Sequence, residues 1–321
     1  MNSSITVILN VLYESIGGVM SDVSEQVIRH LFKYDRTLPL NPTQETEQVI
    51  DFTTGEVRND MLRERVTFGS THDERVTATI ISPITDKQLP AVIIQHGSTP
   101  LGRHGNISPV TASSNNPTGL EWALNGLLTI SIDAYGFGSR EKTDNRGRLT
   151  PDRPDLMFRT RDQRIQSIQD LMRTVDYLES RTDVDSSAIG YHGISMGTRI
   201  GVPFIALDKR IRAASLFVGG SGEYSRFITD NTEFDDLNTD EQLISDLTDP
   251  LAFASWTSHI PKFIVNGDND LTVGGIEPAE KLHAALSDPK EIHWYQGGHG
   301  DYHHLLPEAL TFFNNNLQKN K

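Results

Sequence analysis

From residue 90 onward, short apolar runs alternate with longer amphipathic stretches. That rhythm predicts parallel strands joined by helices. The strand candidates are AVII (91–94), LLTISI (127–132), AIGYH (188–192), AASLFV (213–218), KFIV (262–265) and EIHWY (291–295). Between them, residues 117–125 predict a helix carrying Trp122 and Leu124. Residues 157–180 predict a long helix with Ile165, Ile168, Met172, Val175 and Leu178 on one face. MGTRIGVPFIAL begins another helix at Met196. The fold class is therefore α/β, a mostly parallel sheet with helices on both faces.

The upstream pattern differs. Ile16, Val19, Val23, Val27, Ile28 and Leu31 keep roughly helical spacing and predict a helix over 5–36. Residues 37–60 are polar, contain proline and read as a connector. Leu62–Phe68 and Arg75–Ile81, joined by the turn-rich GSTHDE, predict an antiparallel hairpin at a sheet edge. The expected organisation is an N-terminal helical extension (1–60) and a main domain (61–321). Two stretches interrupt the alternation: 139–164, polar and rich in arginine, and 221–258, mostly acidic and read as a small cap insertion. Both leave the carboxyl ends of strands, where open parallel sheets bind ligands. They are expected to wall the site, and pairing of their opposite charges would gate it.

Composition narrows the chemistry. The chain of 321 residues can bury one large core. Its 36% hydrophobic and 22% charged residues are ordinary for a globular protein. A net charge of −14 argues against nucleic acid and against an anionic membrane surface. There is no cysteine, which removes disulfides, a thiol nucleophile and thiolate metal sites. No basic residue precedes the short N-terminal apolar run and no stretch is long enough to span a bilayer, so a cytoplasmic protein is expected. The sequence leaves the oligomeric state open.

Gly193-Ile194-Ser195-Met196-Gly197 follows a strand and opens a helix. A nucleophilic serine needs such a sharp strand-to-helix turn. Small flanking residues let the backbone turn, and the helix N-terminus supplies N–H groups. Three further stretches accompany it: Gln95-His96-Gly97-Ser98; Asp133-Ala134-Tyr135-Gly136-Phe137-Gly138-Ser139-Arg140; and NGDNDLTV with GGHG near the end. On these, residues 62–318 resemble the α/β-hydrolase superfamily, in its dienelactone-hydrolase-like, acetyl-xylan-esterase-like and prolyl-oligopeptidase-like branches.

The resemblance implies a serine hydrolase with the order nucleophile, acid, base. Ser195 is then the nucleophile and His299, in its glycine turn, the base. Asp270 is the expected acid; its rival Asp268 suits capping of the turn. His303 and His304 compete with His299 only by residue type. The oxyanion hole is expected from the backbone of Met196 and of Ser98, with Gly97 as the alternative to Ser98. His96 is expected to brace that loop rather than act as base. Asp133 reads equally well as the anchor of a structural turn, and substrate contact by Tyr135 or Arg140 stays open. No zinc or dinucleotide pattern occurs, so no metal and no cofactor are expected. The leading activity is hydrolysis of a small-molecule carboxylic ester through an acyl-enzyme. A small amidase or peptidase, and a non-catalytic binder on the same fold, are the alternatives.

Overall fold

The computed structural model describes residues 25–51, 54–105, 118–141, 155–220 and 247–318. Two compact units divide the chain, Met1–Tyr34 and Asp35–Lys321. In the first, residues 25–31 are helical (α1). The helix expected over 5–36 ends at Leu31, since residues 32–36 are turn and coil; residues 5–24 of it, and residues 142–154 and 221–246 of the two expected insertions, lie outside the described residues.

The second unit is built on one nine-stranded sheet. Its strands are β1 (Thr43–Glu47), β2 (Met61–Gly69), β3 (Arg75–Pro83), β4 (Leu89–Gln95), β5 (Leu128–Ile132), β6 (Val184–Ile194), β7 (Ile211–Phe217), β8 (Lys262–Gly267) and β9 (Lys290–Tyr295). The helices are α2 (Thr118–Leu124), α3 (Asp155–Ser180), α4 (Met196–Leu207), α5 (Pro250–Ala254), α6 (Ile276–Ala285) and α7 (Leu306–Leu317). The spatial order is β1-β2-β3-β5-β4-β6-β7-β8-β9. From β5 to β9 all neighbours are parallel, whereas β1, β2, β3 and β5 pair antiparallel.

The hairpin β2–β3 pairs Met61 with Pro83 through to Gly69 with Arg75. His72 and Asp73 take the left-handed conformation in its turn (φ 53° and 58°). The hairpin is not the sheet edge, because β1 pairs outside it. The connector reading of 37–60 missed β1. TQETE has no apolar alternation, and its strand character comes only from its partner β2.

Successive side chains of β6 point to opposite faces. His192 meets Trp122 of α2, and Trp122 meets Phe313 of α7. Tyr191 meets Phe204 of α4 on the other face, where α3 also packs against α4. Val92, Ile94, Phe217 and Val265 are fully buried between these layers. On α3 the predicted apolar face holds at Ile168, Met172, Val175 and Leu178, all buried. Its polar positions are buried too: Arg173 donates to the carbonyls of Leu38 (2.7 Å) and Gly69 (3.3 Å) and pairs with Asp176 (2.8 Å).

Two core histidines give the fold an acid limb. Burial pushes the His192 imidazole down to about 3. Burial, with the nearby Lys290 charge, lowers His283 to about 4. Free histidine titrates near 6.5, so between about pH 6.5 and 4 the unfolded chain binds more protons than the folded one. Stability from these groups is complete above about pH 6.5 and is lost as pH falls through the folded values. The urea midpoint is expected to fall over that range, and His192→Asn, which cannot titrate there, to fall less steeply. An equal slope in both proteins would contradict the assignment.

Candidate active site

Ser195 stands between β6 and α4 with φ 55° and ψ −112°. A non-glycine residue at positive φ is strained and must be held by its surroundings. The Ser195 N–H donates to the Phe217 carbonyl at 2.8 Å, tying the turn to the end of β7. The flanking glycines are required by close approach. A Cβ at Gly193 would lie 2.6 Å from the Gly197 carbonyl oxygen, and one at Gly197 would lie 2.3 Å from the Gln95 carbonyl oxygen. Val218, on the strand end beside the turn, also sits at positive φ (46°) and is fully buried.

Two further strand ends bring in a carboxylate and an imidazole. Asp270 follows β8 and is fully buried. One of its oxygens accepts from the Thr272 N–H at 3.0 Å. The other lies 2.7 Å from His299 Nδ1. His299 Nε2 lies 2.8 Å from Ser195 Oγ. The residues predicted from the sequence thus meet in one hydrogen-bonded line, across 104 and 29 positions of chain. Since a carboxylate only accepts, Nδ1 carries a proton, and in the neutral ring the Nε2 lone pair faces Ser195 Oγ.

The rivals lie elsewhere. Asp268 accepts from the Gly297 N–H at 3.0 Å, which ties the end of β8 to the GGHG loop 29 positions away. His304 Nδ1 bonds the Asp301 carbonyl at 3.0 Å, and the His303 ring packs beside Tyr302. The GGHG loop is held by groups the sequence reading did not single out. Tyr295 Oη donates to the Gly298 carbonyl (2.6 Å), and Asp301 accepts from the Gly298 N–H (2.8 Å).

The Met196 N–H is at the first turn of α4, where backbone donors have no acceptor within the helix. Gly97, on the loop after β4, abuts Ser195. Asp133 is fully buried and anchors its turn. It accepts from the Arg103 N–H (2.8 Å), the Ser139 N–H (3.0 Å) and Ser139 Oγ (2.7 Å), and pairs with the Arg103 guanidinium. Arg140 is buried, pairs with Asp170 and lies over the Tyr135 ring. It is therefore engaged within the fold and is not a loose cation awaiting a substrate carboxylate. Arg164 reaches Thr248 at 2.5 Å, the described end of the acidic segment. Arg103 and Asp170 carried no signal in the sequence, because their partners are about 30 positions away.

Among the described residues, no three metal-ligating side chains converge. Among them, no helix is long and apolar enough to cross a membrane.

Comparison with known proteins brings in a family model and several solved structures. The profile of the acetyl xylan esterase (AXE1) family matches residues 37–239, a span that includes Ser195 and ends before Asp270 and His299. The chain is similar in structure to an acetyl xylan esterase from Paenibacillus sp. R4. The TM-score is 0.68 at 18% identity, over 92% of this chain and 94% of that one. It is also similar to acetyl xylan esterase 1 from Thermoanaerobacterium sp. JW/SL YS485. That TM-score is 0.69 at 16% identity, over 92% and 93% of the two chains. At these identities the likeness establishes the α/β-hydrolase fold. In sequence the chain is 27% identical over 167 residues to YtaP of Bacillus subtilis strain 168. That match spans about half of each protein, 49% of this chain and 52% of the relative.

Proposed function

The chain belongs to the acetyl xylan esterase family of serine carboxylic ester hydrolases, and on that premise we propose that it hydrolyses small carboxylic esters through an acyl-enzyme on Ser195. The observation that carries the reading is the line Ser195 Oγ–His299–Asp270, with hydrogen bonds of 2.8 and 2.7 Å. Ser195 Oγ attacks the ester carbonyl while its proton passes to His299 Nε2. The buried Asp270 carboxylate holds the Nδ1–H and offsets the charge of the imidazolium so formed. The negative charge on the former carbonyl oxygen is met by the N–H groups of Met196 and Ser98. On collapse, the alcohol leaves with the proton from His299. A water then gives its proton to the same nitrogen, attacks the acyl group and releases the acid and Ser195.

Family membership supports an acetyl group as the acyl part and a carbohydrate hydroxyl as the alcohol. The test compares 4-nitrophenyl acetate, butyrate and octanoate, acetylated xylan, and acetyl 4-nitroanilide. Acetate is expected to be cleaved fastest among the phenyl esters, acetate to be released from the polymer, and the anilide to be turned over far more slowly. An anilide rate near the ester rate would favour an amidase. The cytoplasmic location expected from the sequence belongs to the same proposal; activity recovered outside the cells of the native host would contradict it.

A further inference from the structure

His96 leaves β4 directly beside Gly97. It is fully buried and packs edge-on against Phe137 at 5.6 Å. Its ring bonds backbone on both sides. Nδ1 lies 2.6 Å from the Gly97 carbonyl oxygen, and the Ala134 N–H donates to Nε2 at 3.1 Å. A carbonyl can only accept and an amide N–H only donate, so one neutral tautomer fits both contacts. Burial lowers the imidazole pKa and keeps it neutral.

These two bonds have a geometric consequence. The Gly97 carbonyl, which also accepts from the Thr99 N–H at 2.7 Å, is held toward the ring. In a trans peptide C=O and N–H point in opposite directions. The N–H of the same peptide, that of Ser98, is thereby turned away from His96. Gly97 itself lies against the serine: a Cβ placed on it would be 3.3 Å from Ser195 Cβ and 3.8 Å from Ser195 Oγ. The other end of the imidazole is fastened to Ala134, next to the Asp133 anchor that Arg103 and Ser139 fix in place.

We infer that His96 is a positioning residue that sets the Gly97–Ser98 peptide so that the Ser98 N–H meets the oxyanion formed at Ser195. The inference rests on Ser195 being the nucleophile, as proposed above. His96 touches no reacting atom. It acts through one peptide plane, so its contribution appears only when negative charge develops on the substrate oxygen.

The experiment compares His96→Asn with His96→Gln. The asparagine amide places a donor near the Nδ1 position; the glutamine amide reaches the Nε2 position and leaves the Gly97 carbonyl without its side-chain donor. Rates are expressed per active site titrated with a fluorophosphonate, so that any unfolded fraction drops out. His96→Gln is expected to lose about 10²-fold in kcat with KM changed by a few-fold, the scale of one lost oxyanion donor. Its affinity for a trifluoromethyl ketone, which binds as an oxyanion, is expected to fall by a similar factor. His96→Asn is expected to keep kcat within about tenfold of wild type. Equal losses in the two variants, the reverse order, or a ketone affinity unchanged in His96→Gln would overturn the inference. Ser195→Ala is assayed alongside. An active Ser195→Ala means that the nucleophile is misassigned. An inactive one beside a fully active His96→Gln means that only the role of His96 is wrong.

Discussion

Ser195→Ala is expected to lower kcat for ester hydrolysis by about a millionfold, the usual cost of removing the nucleophile from a triad acting as a unit. The fold is expected to survive. The substitution removes one oxygen whose side-chain partner is His299, and it keeps the Cβ and the N–H bond to Phe217. Alanine meets the same backbone strain at φ 55° as serine does. Kinetics on cleanly purified protein, with a melting curve beside them, check both parts. Near-normal turnover would remove Ser195 from the mechanism.

Asp270→Asn is expected to lower kcat by about 10⁴-fold. An asparagine amide turned toward His299 donates to Nδ1, which forces the ring proton onto Nε2. The lone pair that faces Ser195 Oγ at 2.8 Å is then gone. Turned the other way, the amide keeps the tautomer but supplies no charge to offset the imidazolium. Asp268→Asn serves as the comparison. Its side-chain oxygen still accepts from the Gly297 N–H, so kcat is expected to stay within a few-fold of wild type. An exchange of these two outcomes would make Asp268 the acid.

The alternation of strands and helices was legible because the central strands are nearly continuous apolar runs and the helices end at glycine or polar turns. The helix from Met196 to Leu207 coincides with the stretch singled out from its sequence. β6 begins at Val184, four residues before the expected AIGYH, because Asp185, Ser186 and Ser187 interrupt the apolar signal. β1 was invisible for a related reason: an edge strand made of TQETE buries little, and its pairing is decided by β2. The apolar spacing of α3 marks one buried face and says nothing of its polar side. That side is a buried hydrogen-bonded layer, in which Gln166 Nε2 donates to Thr71 Oγ1 (2.9 Å) and to Asp170 (2.8 Å).

The site divides in the same way. Ser195, Asp270 and His299 could be singled out because each sits at a glycine-marked strand end. The residues that hold the loops around them could not. Arg103, Asp170, Tyr295 and Asp301 act through contacts that no local spacing announces. The charged gate expected between 139–164 and 221–258 falls mostly outside the described residues. Its one buried arginine within them, Arg140, is held by Asp170.

The most direct measurement is covalent trapping of the nucleophile. The protein is incubated with a fluorophosphonate until ester hydrolysis stops, and the adduct is then located by intact mass and peptide mapping. One phosphonyl group per chain, on Ser195, appearing in step with the loss of activity, is the predicted result; activity persisting in fully labelled protein, or an adduct on another residue that tracks the loss, would contradict the account.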